Sequence, residues 1–117
     1  MERIIIYQKP SCTTCKAVYK ALMEMKVDVD SVNYYVEPLS KQKLKSLLKK
    51  MGMKTRELLR TKEPIYKELR IAEKQLSEDE IIELMVTHPD LIQRPIVERG
   101  DRAILARPAD RLKEIFG

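Results

Sequence analysis

With 117 residues, 44% of them hydrophobic, the chain is long enough for one domain with a buried core, and disorder is not the expectation. A net charge of +5 favours anionic partners: an oxyanion, a nucleotide, nucleic acid or an acidic protein surface. Aromatic residues make up 5% and there is no tryptophan, which argues against a stacking platform for single-stranded nucleic acid.

The first apolar run, Ile4 to Ile6, is far too short for a signal-peptide core. No stretch approaches the length needed to span a membrane. The expected compartment is therefore the cytosol, where paired cysteines are more often catalytic or metal-binding than structural. Residues 3–7, RIIIY, are β-branched and continuous, and predict a buried, central strand. Pro10 and Ser11 break it. From Cys12 to Lys26 the apolar positions Cys15, Val18, Ala21, Leu22 and Met25 recur at helical spacing. Residues 30–36, DSVNYYV, predict a second strand. One helix between two strands predicts a parallel βαβ unit.

From Ser40 the pattern turns helical. Leu44, Leu47, Leu48 and Met51 share a face, and Gly52 is the natural stop. The lysine-rich run KQKLKSLLKK fits a solvated amphipathic helix better than a nucleic-acid patch. Residues 55–59 and 65–69 predict short helices around Pro64. Ser77 with Glu80 three residues on forms a capping box, and Pro89 ends the helix that follows. His88, just before that proline, reads as a helix-end residue. Residues 95–106 carry two β-rich runs around Gly100-Asp101, a hairpin signal. The segment PADRLKEIF predicts a closing helix with Pro108 in its first turn. The order is β-α-β, helices, β-β-α, with no internal repeat.

Both cysteines lie in this first strand-to-helix turn, as Cys12-Thr13-Thr14-Cys15. The thiolate is the nucleophile, and a helix N-terminus stabilises its charge. Helix positions three apart face the same way, about 5–6 Å apart at Cβ. Cys12 is then the exposed attacker and Cys15 the resolving thiol, with Lys9 and Lys16 adding positive potential. A zinc site needs more ligands than two cysteines and a distant His88. Two ordinary core thiols are the remaining alternative. A Cys-x-x-Cys beside a βαβ pattern fits a thioredoxin-like redox motif. Arg60 ends the run ELLR, while Arg94 and Arg107 each precede a proline at a strand end. Strand ends are where open α/β sheets bind ligands, and guanidinium forks match tetrahedral oxyanions. The alternative is that all three are surface charges.

The segments IIIYQKPSCTTC, GMKTRELLR, EPIYKELRIAE, HPDLIQRPIV and ILARP together resemble, over essentially the whole chain, the glutaredoxin-coupled arsenate reductases of thioredoxin fold and the related Spx regulators. The resemblance implies an α/β, thioredoxin-like fold with a mixed four-stranded sheet. The length and the element pattern predict a single domain whose core is 1–39 and 91–117, with a helical insertion over about residues 40–90. The resemblance makes Cys12 the catalytic thiol and Arg60, Arg94 and Arg107 the arginines that hold arsenate and its thiol adduct. It also implies a cis Arg94-Pro95 bond. Supporting positions are Gln8, Ser11, Thr13, Thr14 and Pro95. Gln8 stands nearest the slot where such reductases usually have a histidine. Cys15 is the pattern of Spx, whereas Arg107 leans toward the reductases. The implied activity is reduction of arsenate, or a similar oxyanion, to arsenite by Cys12, through a Cys12–Cys15 disulfide if Cys15 resolves the adduct. No bound cofactor or metal is implied; the electron donor is glutathione, a glutaredoxin or a thioredoxin. Other outcomes are an Spx-like redox regulator that binds RNA polymerase, or a general disulfide reductase. Neither a membrane nor direct nucleic-acid contact enters the expectation.

Overall fold

The computed structural model describes residues 3–116. Residues 1, 2 and 117, which the expected core included at its ends, lie outside the described residues. In chain order the elements are β1 (Ile4–Gln8), α1 (Thr13–Glu24), β2 (Val29–Asn33), α2 (Lys41–Met51), α3 (Pro64–Glu68), α4 (Glu78–Thr87), β3 (Ile96–Arg99) and β4 (Arg102–Leu105). Short 3-10 segments lie at Thr55–Leu58, Ile71–Glu73, Pro89–Leu91 and Ala109–Ile115. The chain divides into two compact units. One comprises the described residues up to Glu37 together with those from Arg94 onward; the other is Pro38–Gln93.

The first unit holds a four-stranded sheet in the order β2-β1-β3-β4. β1 pairs parallel with β2, as a one-helix crossover requires, and antiparallel with β3. Because side chains alternate along a strand, Ile4 and Ile6 point to one face. There they meet Val18 and Leu22 of α1, Val97, Ile104, and Leu112 and Ile115 of the closing segment. Tyr7 lies on the opposite face and donates its hydroxyl to Glu98 Oε1 at 2.6 Å, both residues being buried. The β3–β4 hairpin turns at Gly100, whose φ of 59° is a left-handed conformation that costs glycine little.

Two local expectations need correction. β2 ends at Asn33 instead of running to residue 36. The Asn33 side-chain oxygen accepts the Tyr35 amide at 3.0 Å, and its carbonyl accepts the amides of Val36 and Glu37. This asparagine turn overrides the β propensity of Tyr34-Tyr35-Val36. The closing helix is 3-10 from Ala109 to Ile115, with Pro108 before it. Its buried Leu112 and Ile115 stand three apart, the spacing at which 3-10 side chains align.

In the second unit, α2 is capped by Ser40, which accepts the Lys43 amide at 3.0 Å, and is ended by Gly52 at φ 65°. α4 opens with the Ser77–Glu80 capping box. It packs on α2 and on the 3-10 turns Thr55–Leu58 and Pro89–Leu91. Those two turns are joined by an isolated Leu59–Ile92 bridge, with the Arg60 amide donating to Leu91 O at 2.8 Å.

Candidate active site

The site starts where β1 hands over to α1. The Cys12 amide donates to Lys9 O at 3.0 Å, closing the Pro10-Ser11 turn. That turn leaves Cys12 as the N-cap residue in extended geometry, φ −77° and ψ 126°. Its sulfur then takes the place of a capping oxygen: the Cys15 amide donates to Cys12 Sγ at 3.3 Å. Cys12 is half-buried instead of fully exposed, and Cys15 is 0% exposed on the core side of α1. Both are free thiols. Thr14 is half-buried, and Ser11 and Thr13 are exposed, in the turn and first helical residues around the thiol.

The two sulfurs are driven apart in acidity. Partial burial raises Cys12. The Cys15 thiol and amide and the Arg94 guanidinium outweigh it, so Cys12 lies below the ordinary thiol value. Burial first, then the hydrogen bond with Cys12, push Cys15 up to about 12. One thiol is thereby prepared as a nucleophile while the other keeps its proton.

Arg94 is 7% exposed. Its Nη1 donates to the Tyr35 hydroxyl at 3.3 Å, and its buried Nε meets no acceptor among the described residues. The Arg94 carbonyl accepts Arg107 Nη1 at 3.3 Å, which ties the exposed Arg107 side chain to the same place. The Arg94-Pro95 and Arg107-Pro108 peptide bonds are both cis, and the Ala106 amide donates to Pro95 O at 3.0 Å. The fold thus brings Cys12, Cys15 and Arg94 together, with Arg107 bonded to the Arg94 backbone. A nucleophilic sulfur beside a buried guanidinium with donors to spare can bind an oxyanion and attack its centre.

The ArsC family model matches residues 7–115. This chain belongs to the ArsC family. It is 38% identical over 117 residues to the uncharacterized protein YfgD of Escherichia coli K12, covering 99% of this chain and 98% of that protein. It is 33% identical over 116 residues to an arsenate reductase of the same organism, covering 99% and 82% respectively. Among solved structures it is similar to an arsenate reductase from Vibrio cholerae. The TM-score is 0.93 at 32% identity, over 97% of this chain and 98% of that one. The α/β fold is the thioredoxin-like arrangement of the ArsC family.

The other expected residues of this ArsC chain stand as follows. Gln8 is buried, and its Nε2 donates to Ser31 Oγ of β2 at 2.6 Å, so its amide links two strands. Arg60 belongs to the Pro38–Gln93 unit, where its Nε donates to Glu63 Oε1 at 2.9 Å. His88 caps the C-terminus of α4, its amide donating to Leu84 O at 2.7 Å. Among the described residues no three His, Cys, Asp or Glu side chains gather as metal ligands, and no helix is long and apolar enough to cross a membrane.

Two features escaped the sequence. Tyr35 was hidden inside an assumed strand; Asn33 two residues before it was the available sign of a turn. Lys9 contributes more than positive potential, because its Nζ sits 4.9 Å from the centroid of the Tyr35 ring.

Proposed function

We propose that this protein reduces arsenate, or a closely similar oxyanion, to its lower oxidation state with thiol electrons, and that Cys12 is the nucleophile. The observation that carries this is the Cys12 sulfur at the α1 N-terminus, held by the Cys15 amide and stabilised as thiolate by Arg94. The relatives named as arsenate reductases supply the substrate. In the first step the Cys12 thiolate adds to arsenic and an oxygen leaves as water, giving a sulfur–arsenic bond. Arg94 and Arg107 stabilise the charge that gathers on the oxygens in the transition state.

In the second step a second thiolate attacks Cys12 Sγ. A sulfur–sulfur bond forms, the sulfur–arsenic bond breaks, and its electron pair leaves with arsenic as arsenite. Cys15 is the resolving thiol in this scheme, because its amide is already on the Cys12 sulfur. Burial is the main hold on the Cys15 proton, and once Cys12 is esterified the further hold from the Cys12 charge is gone. The resulting disulfide is returned to two thiols by a thioredoxin or glutaredoxin dithiol. The RNA polymerase-binding regulator is not favoured, since relatives from Escherichia coli and Haemophilus influenzae that match over most of their length bear reductase names. A cytoplasmic location fits a reaction that consumes reduced thiols.

The test is arsenate-dependent NADPH oxidation, run once with thioredoxin and its reductase and once with glutathione, glutaredoxin and glutathione reductase. Cys12→Ser abolishes turnover with both donors. Cys15→Ser abolishes it with thioredoxin and leaves the glutathione route working. Turnover that survives Cys12→Ser would overturn the proposal.

A further inference from the structure

Tyr35 is assigned nothing by the reaction proposed above, yet it touches Arg94, the guanidinium that acts on the Cys12 thiol, and the Lys9 ammonium. Several contacts among the described residues fix its position. The backbone amide donates to Asn33 Oδ1 at 3.0 Å. The ring stacks on the buried Tyr34, with centroids 5.1 Å apart and planes at 29°. The hydroxyl accepts Arg94 Nη1 at 3.3 Å. Lys9 Nζ lies 4.9 Å from the ring centroid, and the Lys9 carbonyl accepts the Cys12 amide.

The partner of Arg94 is unusual for a buried cation. A guanidinium taken out of water is ordinarily paired with a carboxylate. Arg60 follows that rule, with Glu63 at 2.9 Å. Arg94 is more buried and has a neutral phenol where a carboxylate would be expected. A carboxylate there would cancel the charge and compete with an incoming anion. A phenol oxygen satisfies one donor and leaves the positive charge whole.

We infer that Tyr35 is a positioning residue: a neutral strut that holds Arg94 beside Cys12 without neutralising it, so that the guanidinium keeps its charge for the oxyanion. The inference rests on the reaction proposed above for its substrate, and on geometry for the placement of Arg94 against the thiol.

Tyr35→Phe keeps the ring and removes the hydroxyl; Tyr35→Leu removes both contacts. The first readout is KM and kcat for arsenate. Tyr35→Phe raises KM about threefold to tenfold with kcat little changed, the size expected for one long hydrogen bond to a charged group. Tyr35→Leu raises it at least as far, because the hydroxyl and the ring are both lost. A merely structural loss would lower the active fraction, and so kcat, with KM unmoved. The second readout is the rate of Cys12 alkylation by iodoacetamide against pH, which needs no arsenate and reports Cys12 because Cys15 is buried. In Tyr35→Phe this profile moves to higher pH as Arg94 loosens. A Phe variant with wild-type KM and a wild-type alkylation profile would overturn the inference. If the wild type turns over no arsenate, the reaction is wrong, and the alkylation profile still decides the role of Tyr35.

Discussion

At Cys12, burial favours the thiol while a helix N-terminus, a neighbouring thiol and a guanidinium favour the thiolate, and the second group wins. The sign fixes a prediction for Arg94. An acid held below its ordinary value stays ionised to lower pH, so wild-type Cys12 remains reactive toward iodoacetamide there. Arg94→Gln keeps a donor but removes the positive charge, and the alkylation profile moves to higher pH. A profile unchanged in Arg94→Gln would mean that the guanidinium does not reach the sulfur electrostatically. Cys12 and Cys15 were legible as a pair because their contact is made within one helical turn, and local spacing decides it. The bond between Arg94 and Tyr35 spans 59 positions of sequence, and no local pattern encodes which side chain a buried arginine meets.

At the scale of elements, α1 carries the thiols on a helix whose other turns are anchored by Val18 and Leu22 in the sheet core. Leu22 is fully buried, so Leu22→Ala costs about 2–5 kcal/mol in urea unfolding. A loss under about 1 kcal/mol would show that the site's helix is held by something other than that core. The elements legible in sequence are those with one dominant cause. The Ile4–Ile6 run admits little but a buried strand, and β1 is indeed central. Ser77 and Glu80 fix the start of α4, and Gly52 fixes the end of α2. The misread ends are those where two causes compete. Tyr34 and Tyr35 favour a strand by propensity, but the Asn33 side chain captures the backbone first. Leu112 and Ile115 suit a helix of either pitch, and the chain takes the tighter one.

Over the whole molecule, the buried acids set how stability responds to alkali. Cys15 is held up at about 12 by burial and by Cys12, and Tyr7 is raised by burial and by its bond to Glu98. In the unfolded chain both titrate at ordinary values. The unfolded state therefore loses these protons first as pH rises, and stability falls from the ordinary thiol value up to about 12. Cys12 runs the other way: its contribution is present above the ordinary thiol value and is lost as pH falls through its lowered one. The urea midpoint of the reduced protein should decline across the alkaline range, and Cys15→Ala should flatten part of that decline. A wild-type midpoint that does not change with alkaline pH would contradict the burial of these two groups as protonated acids.

The claim that joins these scales is that Cys12 delivers electrons to arsenate. The most direct measurement is a single turnover: fully reduced protein is mixed with arsenate, no enzymatic recycling system is supplied, and arsenite and free thiols are counted together, with and without glutathione. Stoichiometric arsenite, with loss of both protein thiols in the absence of glutathione and none formed by Cys12→Ser, is the predicted result. No arsenite under either condition, with Cys12 and Cys15 still titrating as free thiols, would contradict it.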